Sequence, residues 1–269
     1  MVTVLTDGND TFSGTPDQDF VSALGGDDLL YGGFAADSIE SGTGDDLVYG
    51  GPGADTLFGG SLLNFFGSGD DQIYGGADGD TIFGGDGIDV ISGDGGDDEI
   101  NGNTGEDVVI GGEGRDFSRG GQGNDFVFGN EEDDWHVNGN IGDDQVFGGE
   151  GRDIVFGGQG NDTIHGDEGD DEIRGDRGDD EITGGEGADR FVFADDSGVD
   201  ILNDFEIGLD RIVIQANVNG SGIASPQDVL ARIVDNESAQ AVIDLGGGHT
   251  VTILTEPRDA LSVDDFIVI

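Results

Sequence analysis

Cysteine and lysine are both absent from the 269-residue sequence, and proline occurs only four times. Without cysteine the chain has no disulfides, no thiolate metal sites and no cysteine nucleophile. With so little proline it does not form a collagen helix, although it contains 55 glycines. Its apolar runs end after about five residues, too few for a helix that spans a membrane. The fold therefore has to be stabilised by other means.

Positive charge is scarce as well. The chain has 60 acidic residues against nine basic ones, all arginine, and its formal net charge is −51 at pH 7. Nucleic acids and anionic membrane surfaces are polyanions, so this charge excludes both as direct partners. The same charge opposes any compact fold, because the carboxylates repel one another. Either the chain is disordered or bound cations fold it.

The glycines and acids follow a nine-residue repeat. Gly84–Ser92 and Gly157–His165 both read G-G-x-G-x-D-x-U-x, where U is a large aliphatic residue. About 20 such units fit between Leu5 and Val192 once an insertion at residues 61–68 and one further residue are allowed. The sixth place is aspartate in every unit, and the eighth is Ile, Val, Leu or Phe in all but two. A disordered linker does not keep such a register, so the repeat predicts an ordered solenoid.

Each unit divides into a turn and a short strand. The x-U-x segment predicts a strand whose U side chain points inward. The preceding G-G-x-G-x-D predicts a turn in which glycine permits positive φ and lets carbonyl groups converge. Carbonyl oxygens with one carboxylate suit a hard cation, and Ca²⁺ fits this donor set best. The chain has three histidines and no cysteine, so it offers few of the nitrogen and sulfur ligands that Zn²⁺ and Cu²⁺ prefer.

Two units make one coil of about 18 residues, and stacked coils form two facing parallel sheets. This nonapeptide resembles the repeat of the RTX calcium-binding family, whose repeats form a right-handed parallel β-roll. The resemblance implies an all-β fold, with about 10 coils in residues 1–193 and a small β-rich cap in residues 194–269. It also implies that Ca²⁺ ions lie between successive turns, with about 18 potential sites.

The resemblance assigns Ca²⁺ binding to the sixth-place aspartates. Those expected to act as ligands are Asp28, Asp46, Asp55, Asp71, Asp80, Asp89, Asp98, Asp107, Asp116, Asp125, Asp134, Asp144, Asp153, Asp162, Asp171, Asp180 and Asp189. Filled sites would remove most of the charge repulsion, so we expect the roll to be largely unfolded without Ca²⁺ and to fold with it. The first four units are irregular at Pro16-Asp17, Ala23-Leu24 and Phe34-Ala35-Ala36, and we expect weaker sites there.

Other irregularities leave alternatives open. The apolar residues of the Ser61–Ser68 insertion either fold back over the sheet, which we favour, or anchor a partner. Ser118 and His136 occupy the eighth place of their units and follow Phe117 and Trp135. Those two aromatics either form an outward pair or point inward after a one-residue strand slip; we favour slip or local packing over a sugar-stacking site. Aromatic residues at the ninth place predict cross-strand stacking.

The composition changes after Val192. Residues 199–214 predict two strands around an acidic turn, and Pro226–Val234 predicts a short helix capped by Ser225. Residues 241–254 predict a hairpin, and residues 257–269 a short turn or helix followed by a last apolar strand.

The end of the chain is similar to the C-terminal region of serralysin-type RTX proteins. The resemblance covers a D-F-x-x-G-x-D turn, an I-D-L-G-G-G hairpin and the final Asp264–Ile269. It implies that Asp264–Ile269 is an uncleaved signal for a type I secretion apparatus. The N-terminal residues lack the basic and apolar regions of a cleavable signal, in agreement with that route. We therefore expect an extracellular protein, secreted or associated with the cell surface.

Signatures of catalysis are missing from the sequence. It contains no H-E-x-x-H zinc motif and no G-x-S-x-G nucleophile elbow, and His136, His165 and His249 have no evident triad partners. We therefore expect no enzymatic activity. Two roles stay open: a structural protein of the cell surface or extracellular matrix, and a non-catalytic, Ca²⁺-dependent polysaccharide-binding module like the R-modules of alginate epimerases.

Overall fold

The computed structural model describes residues 2–60, 69–236, 238, 240–255 and 258–269. The chain forms two compact units, Met1–Val137 and Asn138–Ile269. The insertion Ser61–Ser68, with its two possible roles, lies outside the described residues. The boundary between roll and cap at residues 193 and 194 stays a prediction.

In the first unit, successive nine-residue repeats alternate between two parallel sheets. The odd-numbered strands pair in order as one sheet and the even-numbered strands as the other. Away from the insertion, paired residues are 18 apart, as with Ile82 beside Ile100, so two repeats make one coil. The strands are β1 (Val2–Val4), β2 (Thr11–Ser13), β3 (Phe20–Ser22), β4 (Leu29–Tyr31), β5 (Ser38–Glu40), β6 (Leu47–Pro52), β7 (Thr56–Phe58), β8 (Gln72–Ala77), β9 (Thr81–Asp86), β10 (Val90–Gly95), β11 (Glu99–Thr104), β12 (Val108–Glu113), β13 (Phe117–Gln122) and β14 (Phe126–Glu131).

The second unit has the same alternation. Its strands are β16 (Gln145–Glu150), β17 (Ile154–Gln159), β18 (Thr163–Glu168), β19 (Glu172–Arg177), β20 (Glu181–Glu186), β21 (Arg190–Phe193), β22 (Val199–Leu202), β23 (Arg211–Ile214), β24 (Ile233–Asp235), β25 (Ala241–Gly246), β26 (His249–Ile253) and β27 (Phe266–Val268), while β15 (His136–Ile141) contains the division between the units. Helix α1 is Pro226–Leu230, and 3-10 helices cover Val218–Gly220, Arg258–Ala260 and Val263–Asp265. None of these described helices is long and apolar enough to cross a membrane.

Parallel pairing continues beyond the repeats in the second unit. β22 pairs in parallel with β20 and with β26, and β23 with β21 and with β27. Among the described strands of this unit the antiparallel pairs are β24 with β25 and β25 with β26. The C-terminal strands therefore extend the sheets of the repeats.

The eighth-place side chains form the core, as the repeat predicts. Ile73, Ile82 and Ile91 in the first unit and Ile164 and Ile173 in the second are fully buried. The flanking residues of these strands are more exposed, because successive side chains point to opposite faces of a strand. The predicted all-β parallel roll with a thin aliphatic core is confirmed.

Aromatic residues at the ninth place stack on their neighbours one coil away. The ring centroids of Tyr31 and Tyr49 are 5.0 Å apart, and those of Tyr49 and Tyr74 are 5.1 Å apart, with nearly parallel planes. Phe58 and Phe83 stack in the same way at 5.2 Å. The predicted cross-strand stacking is confirmed.

For Phe117 and Trp135 the inward orientation is wrong: a one-residue shift occurs in the strand after Trp135, but both rings lie on the outer face. Ser118 keeps its register with β11 and is fully buried, so β13 has not slipped and Phe117 points outward. In the next odd-numbered strand Val137, and not His136, takes the buried position, and Trp135 is 62% exposed. His136 stacks on Phe117 instead, with 4.3 Å between ring centroids. The one-residue shift places an aliphatic side chain in the core, where a histidine would lose its hydration.

The strands and helix predicted for the C-terminal region are confirmed, with one difference in length. Residues 199–214 form two strands, β22 and β23, and β25 and β26 form the hairpin. The Ser225 side chain caps helix α1 by accepting the backbone N–H of Asp228. The helix ends at Leu230, earlier than predicted, because β24 begins at Ile233.

We expect Ser118→Val to stabilise the protein by about 1–3 kcal/mol, the usual cost of a buried polar group without a partner. The Ser118 hydroxyl is buried beside Ile100 and has no hydrogen-bond partner. Denaturant unfolding in saturating Ca²⁺ measures the change, and Ser118→Ala, which only removes the hydroxyl, is the control. A lower midpoint for the valine variant would contradict this reading of the core.

Candidate metal centre

Sixth-place aspartates of successive coils are joined by hydrogen bonds into rows. The backbone N–H of each aspartate donates to Oδ1 of the aspartate one coil later, for example from Asp80 to Asp98 at 2.7 Å and from Asp98 to Asp116 at 2.9 Å. In the first unit the rows are Asp10, Asp28, Asp46, Asp71, Asp89, Asp107 and Asp125, and Asp19, Asp37, Asp55, Asp80, Asp98, Asp116 and Asp134. In the second unit they are Asp144, Asp162, Asp180 and Asp200, and Asp153, Asp171, Asp189 and Asp210. These aspartate rows contain every residue predicted from the repeat.

The second carboxylate oxygen is buried in most of these residues and accepts no hydrogen bond. Oδ2 atoms in this condition belong to Asp28, Asp37, Asp46, Asp55, Asp80, Asp89, Asp98, Asp107, Asp116, Asp162, Asp171, Asp180, Asp189 and Asp200. A buried anionic oxygen without a partner is costly, so a folded chain with so many requires a compensating positive charge.

The first glycine of a repeat makes room for the aspartate of the same repeat. A β-carbon on Gly102 would lie 2.5 Å from Oδ2 of Asp107 and 2.5 Å from the carbonyl oxygen of Gly120 in the next coil. Non-bonded atoms do not approach so closely, so only glycine lets the carboxylate and this carbonyl converge.

The fourth-place glycines let the turns stack closely. Gly105 has φ +158°, and a β-carbon there would overlap the carbonyl oxygen of Gly87 in the preceding coil. Gly187 stands in the same relation to Gly169. Carbonyl oxygens therefore lie between successive turns, beside the aspartate rows.

This donor set fits Ca²⁺. Among the described residues no three His, Cys, Asp or Glu side chains converge as a metal cluster, so an ion at the rows must take the rest of its ligands from carbonyl oxygens. Ca²⁺ accepts six to eight oxygens in flexible geometry, whereas Mg²⁺ demands a near-ideal octahedron. The residues present would supply the Oδ2 atoms and turn carbonyls, and the ion would supply the missing positive charge.

Arginine side chains are engaged elsewhere. Arg115 pairs with Asp97 at 3.4 Å, and Arg119 lies over the Phe117 ring at 4.1 Å. Arg174 pairs with Glu172 at 2.7 Å. The partners of these ion pairs lie outside the aspartate rows, so these arginines leave the charge of the rows to an ion from solution.

The rows hold protons more tightly than ordinary aspartates. Burial raises the pKa of Asp71, Asp80 and Asp107 to about 8, although a backbone N–H lowers it, and carboxylates of neighbouring coils raise it further. The pKa of Asp89 and Asp116 rises to about 7 for the same reasons. At neutral pH the fold therefore favours a bound cation, either a proton or a metal ion, at these five positions.

Three aspartates that lie in the rows beyond the first coil were missed by the sequence reasoning. Asp37 lies in a degenerate repeat, yet it is 2% exposed and its Oδ2 is unpaired. Asp200 and Asp210 lie beyond the last full repeat but continue the rows. Burial and the charge of Asp180 raise the pKa of Asp200 to about 9. The signal available for the last two was a glycine two residues before the aspartate and an aliphatic residue two after it.

The first coil differs from the others. Oδ2 of Asp10 accepts the backbone N–H of Thr6 at 2.8 Å, and Oδ2 of Asp19 accepts that of Thr15 at 2.6 Å. Both aspartates are less buried than those that follow. Protein donors already satisfy these oxygens, which supports the expectation of weaker sites at this end.

We expect Gly102→Ala to destabilise the Ca²⁺-bound protein by about 1–3 kcal/mol, because the new methyl group collides with Oδ2 of Asp107. Gly95→Ala is the control, since the nearest atom to its β-carbon would be 3.8 Å away and its φ is not in the left-handed region. Thermal unfolding in Ca²⁺ compares the two. Equal melting temperatures would show that the position of the Asp107 carboxylate does not depend on a glycine at residue 102.

Comparison with known proteins gives a repeated match. The model of the RTX calcium-binding nonapeptide repeat matches residues 5–39, 31–61, 67–91, 83–118, 110–135, 136–164 and 165–199, well over half of the chain. No curated protein matches the chain.

Two solved structures are similar to parts of the chain. The AlgE6R3 subunit of the mannuronan C5-epimerase from Azotobacter vinelandii is 25% identical, with 52% of this chain and 80% of that one covered and a TM-score of 0.38. The extracellular lipase LipA from Serratia marcescens is 16% identical, with 93% of this chain and 41% of that one covered and a TM-score of 0.40. The repeat match, together with the all-β parallel roll, establishes that the chain belongs to the RTX family of calcium-binding nonapeptide repeat proteins.

Proposed function

We propose that this chain is a non-catalytic, exported protein whose roll folds when Ca²⁺ ions bind between its turns, and that it has a structural role at the cell surface or in the extracellular matrix. The observation that carries the proposal is the row of buried, unpaired Oδ2 atoms beside stacked turn carbonyls. The predicted aspartates, with Asp37 added, are the proposed ligands.

Electrostatics supports the coupling of binding to folding. The chain carries a formal net charge of −51, and about 18 bound Ca²⁺ ions would remove most of it. The turns that hold the ions do not exist in an unfolded chain, so the free energy of binding becomes free energy of folding.

The C-terminal segment connects this switch with export. In the folded chain Phe266–Val268 pairs with β23, and the Asp265 side chain, 1% exposed, accepts the backbone N–H of Ser262. A type I secretion apparatus that reads Asp264–Ile269 would therefore have to meet the chain before it folds. Low Ca²⁺ inside the cell and higher Ca²⁺ outside would provide that order of events.

Circular dichroism during a Ca²⁺ titration tests the proposal. We expect a disordered spectrum in chelator and a steep transition to β structure between micromolar and millimolar Ca²⁺, the range of the weaker calcium modules. Mg²⁺ at equal concentration is the control and should not replace Ca²⁺. Identical spectra in chelator and in Ca²⁺ would contradict the proposal, since the core would then suffice without the ions.

A cavity in the second unit favours a second candidate function, Ca²⁺-dependent binding of an acidic polysaccharide. The cavity is open, has a volume of about 300 Å³ and is lined by Asn140, Gln159, Asp176, Arg177 and Asp195, among others. Amide and guanidinium groups suit the hydroxyl and carboxylate groups of uronic acid residues.

Retention on immobilised polymannuronate tests this candidate. If it is correct, the chain is retained only with Ca²⁺, and Arg177→Gln weakens retention whereas Arg258→Gln, at an exposed position away from the cavity, does not. Passage of the Ca²⁺-loaded chain without retention would exclude the candidate and leave the structural role.

A further inference from the structure

Two segments beyond the glycine-rich repeats keep part of the nine-residue pattern. Asp195–Asn203 and Phe205–Val213 lack the paired glycines. Both retain glycine at the fourth place, aspartate at the sixth and an aliphatic residue at the eighth. Their sixth-place aspartates, Asp200 and Asp210, end the two aspartate rows of the second unit.

The turn before Asp200 stacks like the turns of the repeats. The backbone N–H of Asp180 donates to Oδ1 of Asp200 at 3.2 Å, and the N–H of Ile201 donates to the Asp180 carbonyl at 2.8 Å. Gly198 has φ +85°, and a β-carbon there would overlap the carbonyl oxygen of Gly178. The carbonyl that lies between turns in the repeats is therefore present here too.

The side chain of Asp200 has an unused oxygen. Asp200 is 1% exposed, and its Oδ2 has no hydrogen-bond partner. Oδ2 of Asp180, one coil earlier, is buried and unpaired as well. The hydroxyl of Ser197, in the same turn as Asp200, is buried as well. The charges that act on Asp200 are the carboxylates of Asp180 and Asp179, and both are negative.

The other row ends differently. Oδ2 of Asp210 accepts the backbone N–H of Glu206 at 2.7 Å. The carboxylate of Asp204 accepts the N–H groups of Gly184 and Gly185 at 2.8 and 2.9 Å. Backbone N–H groups therefore satisfy the carboxylates at the end of this row. Of the two row ends in the described second unit, the one at Asp200 has a carboxylate oxygen without a hydrogen bond.

We propose that Asp200, which lies just beyond the residues matched by the repeat family, holds one further Ca²⁺ ion together with Asp180 and the carbonyl oxygen of Gly178. This inference rests on the proposed function, because it extends the same aspartate row. β22 contains Asp200 and pairs in parallel with β26 of the C-terminal hairpin. An ion at Asp200 therefore links the hairpin to the calcium-dependent part of the roll.

Anomalous diffraction from crystals of the full chain soaked in Tb³⁺ tests the site. We expect a peak within about 2.5 Å of Asp200 Oδ2, as for other oxygen-bound ions of this size. Asp200→Asn should lose this peak, and Asp196→Asn, which removes the same charge from an exposed position of the same turn, should keep it.

The outcomes separate this inference from the proposed function. Peaks along the repeats, including the Asp162–Asp180 pair, without one at Asp200 overturn the further site only. A map with no peaks on any aspartate row overturns both.

Hydrogen exchange in solution provides a second measurement. At a free Ca²⁺ concentration ten times the Kd of the site, loss of the ion should speed exchange of the β25–β26 amides about tenfold in Asp200→Asn, because the ion suppresses local opening by mass action. Asp196→Asn should exchange like the parent chain. Equal exchange in the Asp200→Asn variant and its parent would contradict the proposed link between the ion and the hairpin.

Discussion

The charge on one buried carboxylate per turn is the constraint on which this structure depends. Oδ1 of each row aspartate satisfies a backbone N–H of the preceding coil, as with Asp80 and Asp98. Asparagine at the sixth place could make the same bond and would leave no buried anion. The chain nevertheless has aspartate there in every repeat. The hydrogen bond alone does not account for that choice, whereas a metal ion that needs an anionic ligand does.

The glycines and the thin core follow from this arrangement. A carboxylate and a carbonyl meet beside Gly102 only because that residue has no β-carbon. The glycines cost conformational entropy on folding, and most nine-residue repeats bury only one aliphatic side chain, such as Ile82 or Ile100. Burial of so small a core stabilises the fold too little to offset the repulsion among the acidic side chains. The bound ions are therefore required for folding.

The sequence predicted most of this because the signal is repeated. The nine-residue period locates each strand, the buried eighth-place residue and the row aspartate. The same positions then recur in every coil. The period marked His136 as an exception at the eighth place but did not locate Val137 in the core, because the pattern does not say on which side of the strand the extra residue lies. It also missed Asp200, because a single glycine and aspartate among Asp195, Asp196 and Ser197 do not stand out in so acidic a chain. In both places the three-dimensional register of the neighbouring coil decides what the local pattern leaves open.

The two ends of the aspartate rows in the second unit illustrate how a repetitive ladder can be closed. A further coil would supply carbonyl oxygens for the N–H groups of Gly184 and Gly185; the Asp204 carboxylate accepts them instead. No backbone N–H donates to Oδ2 of Asp200, although the backbone there keeps the hydrogen-bond register of the preceding coils. One row is thus closed by side chains of the protein and requires no ion at its last position. The other keeps a buried negative charge at its end, and a charge in that setting requires a cation as much as any inside the repeats.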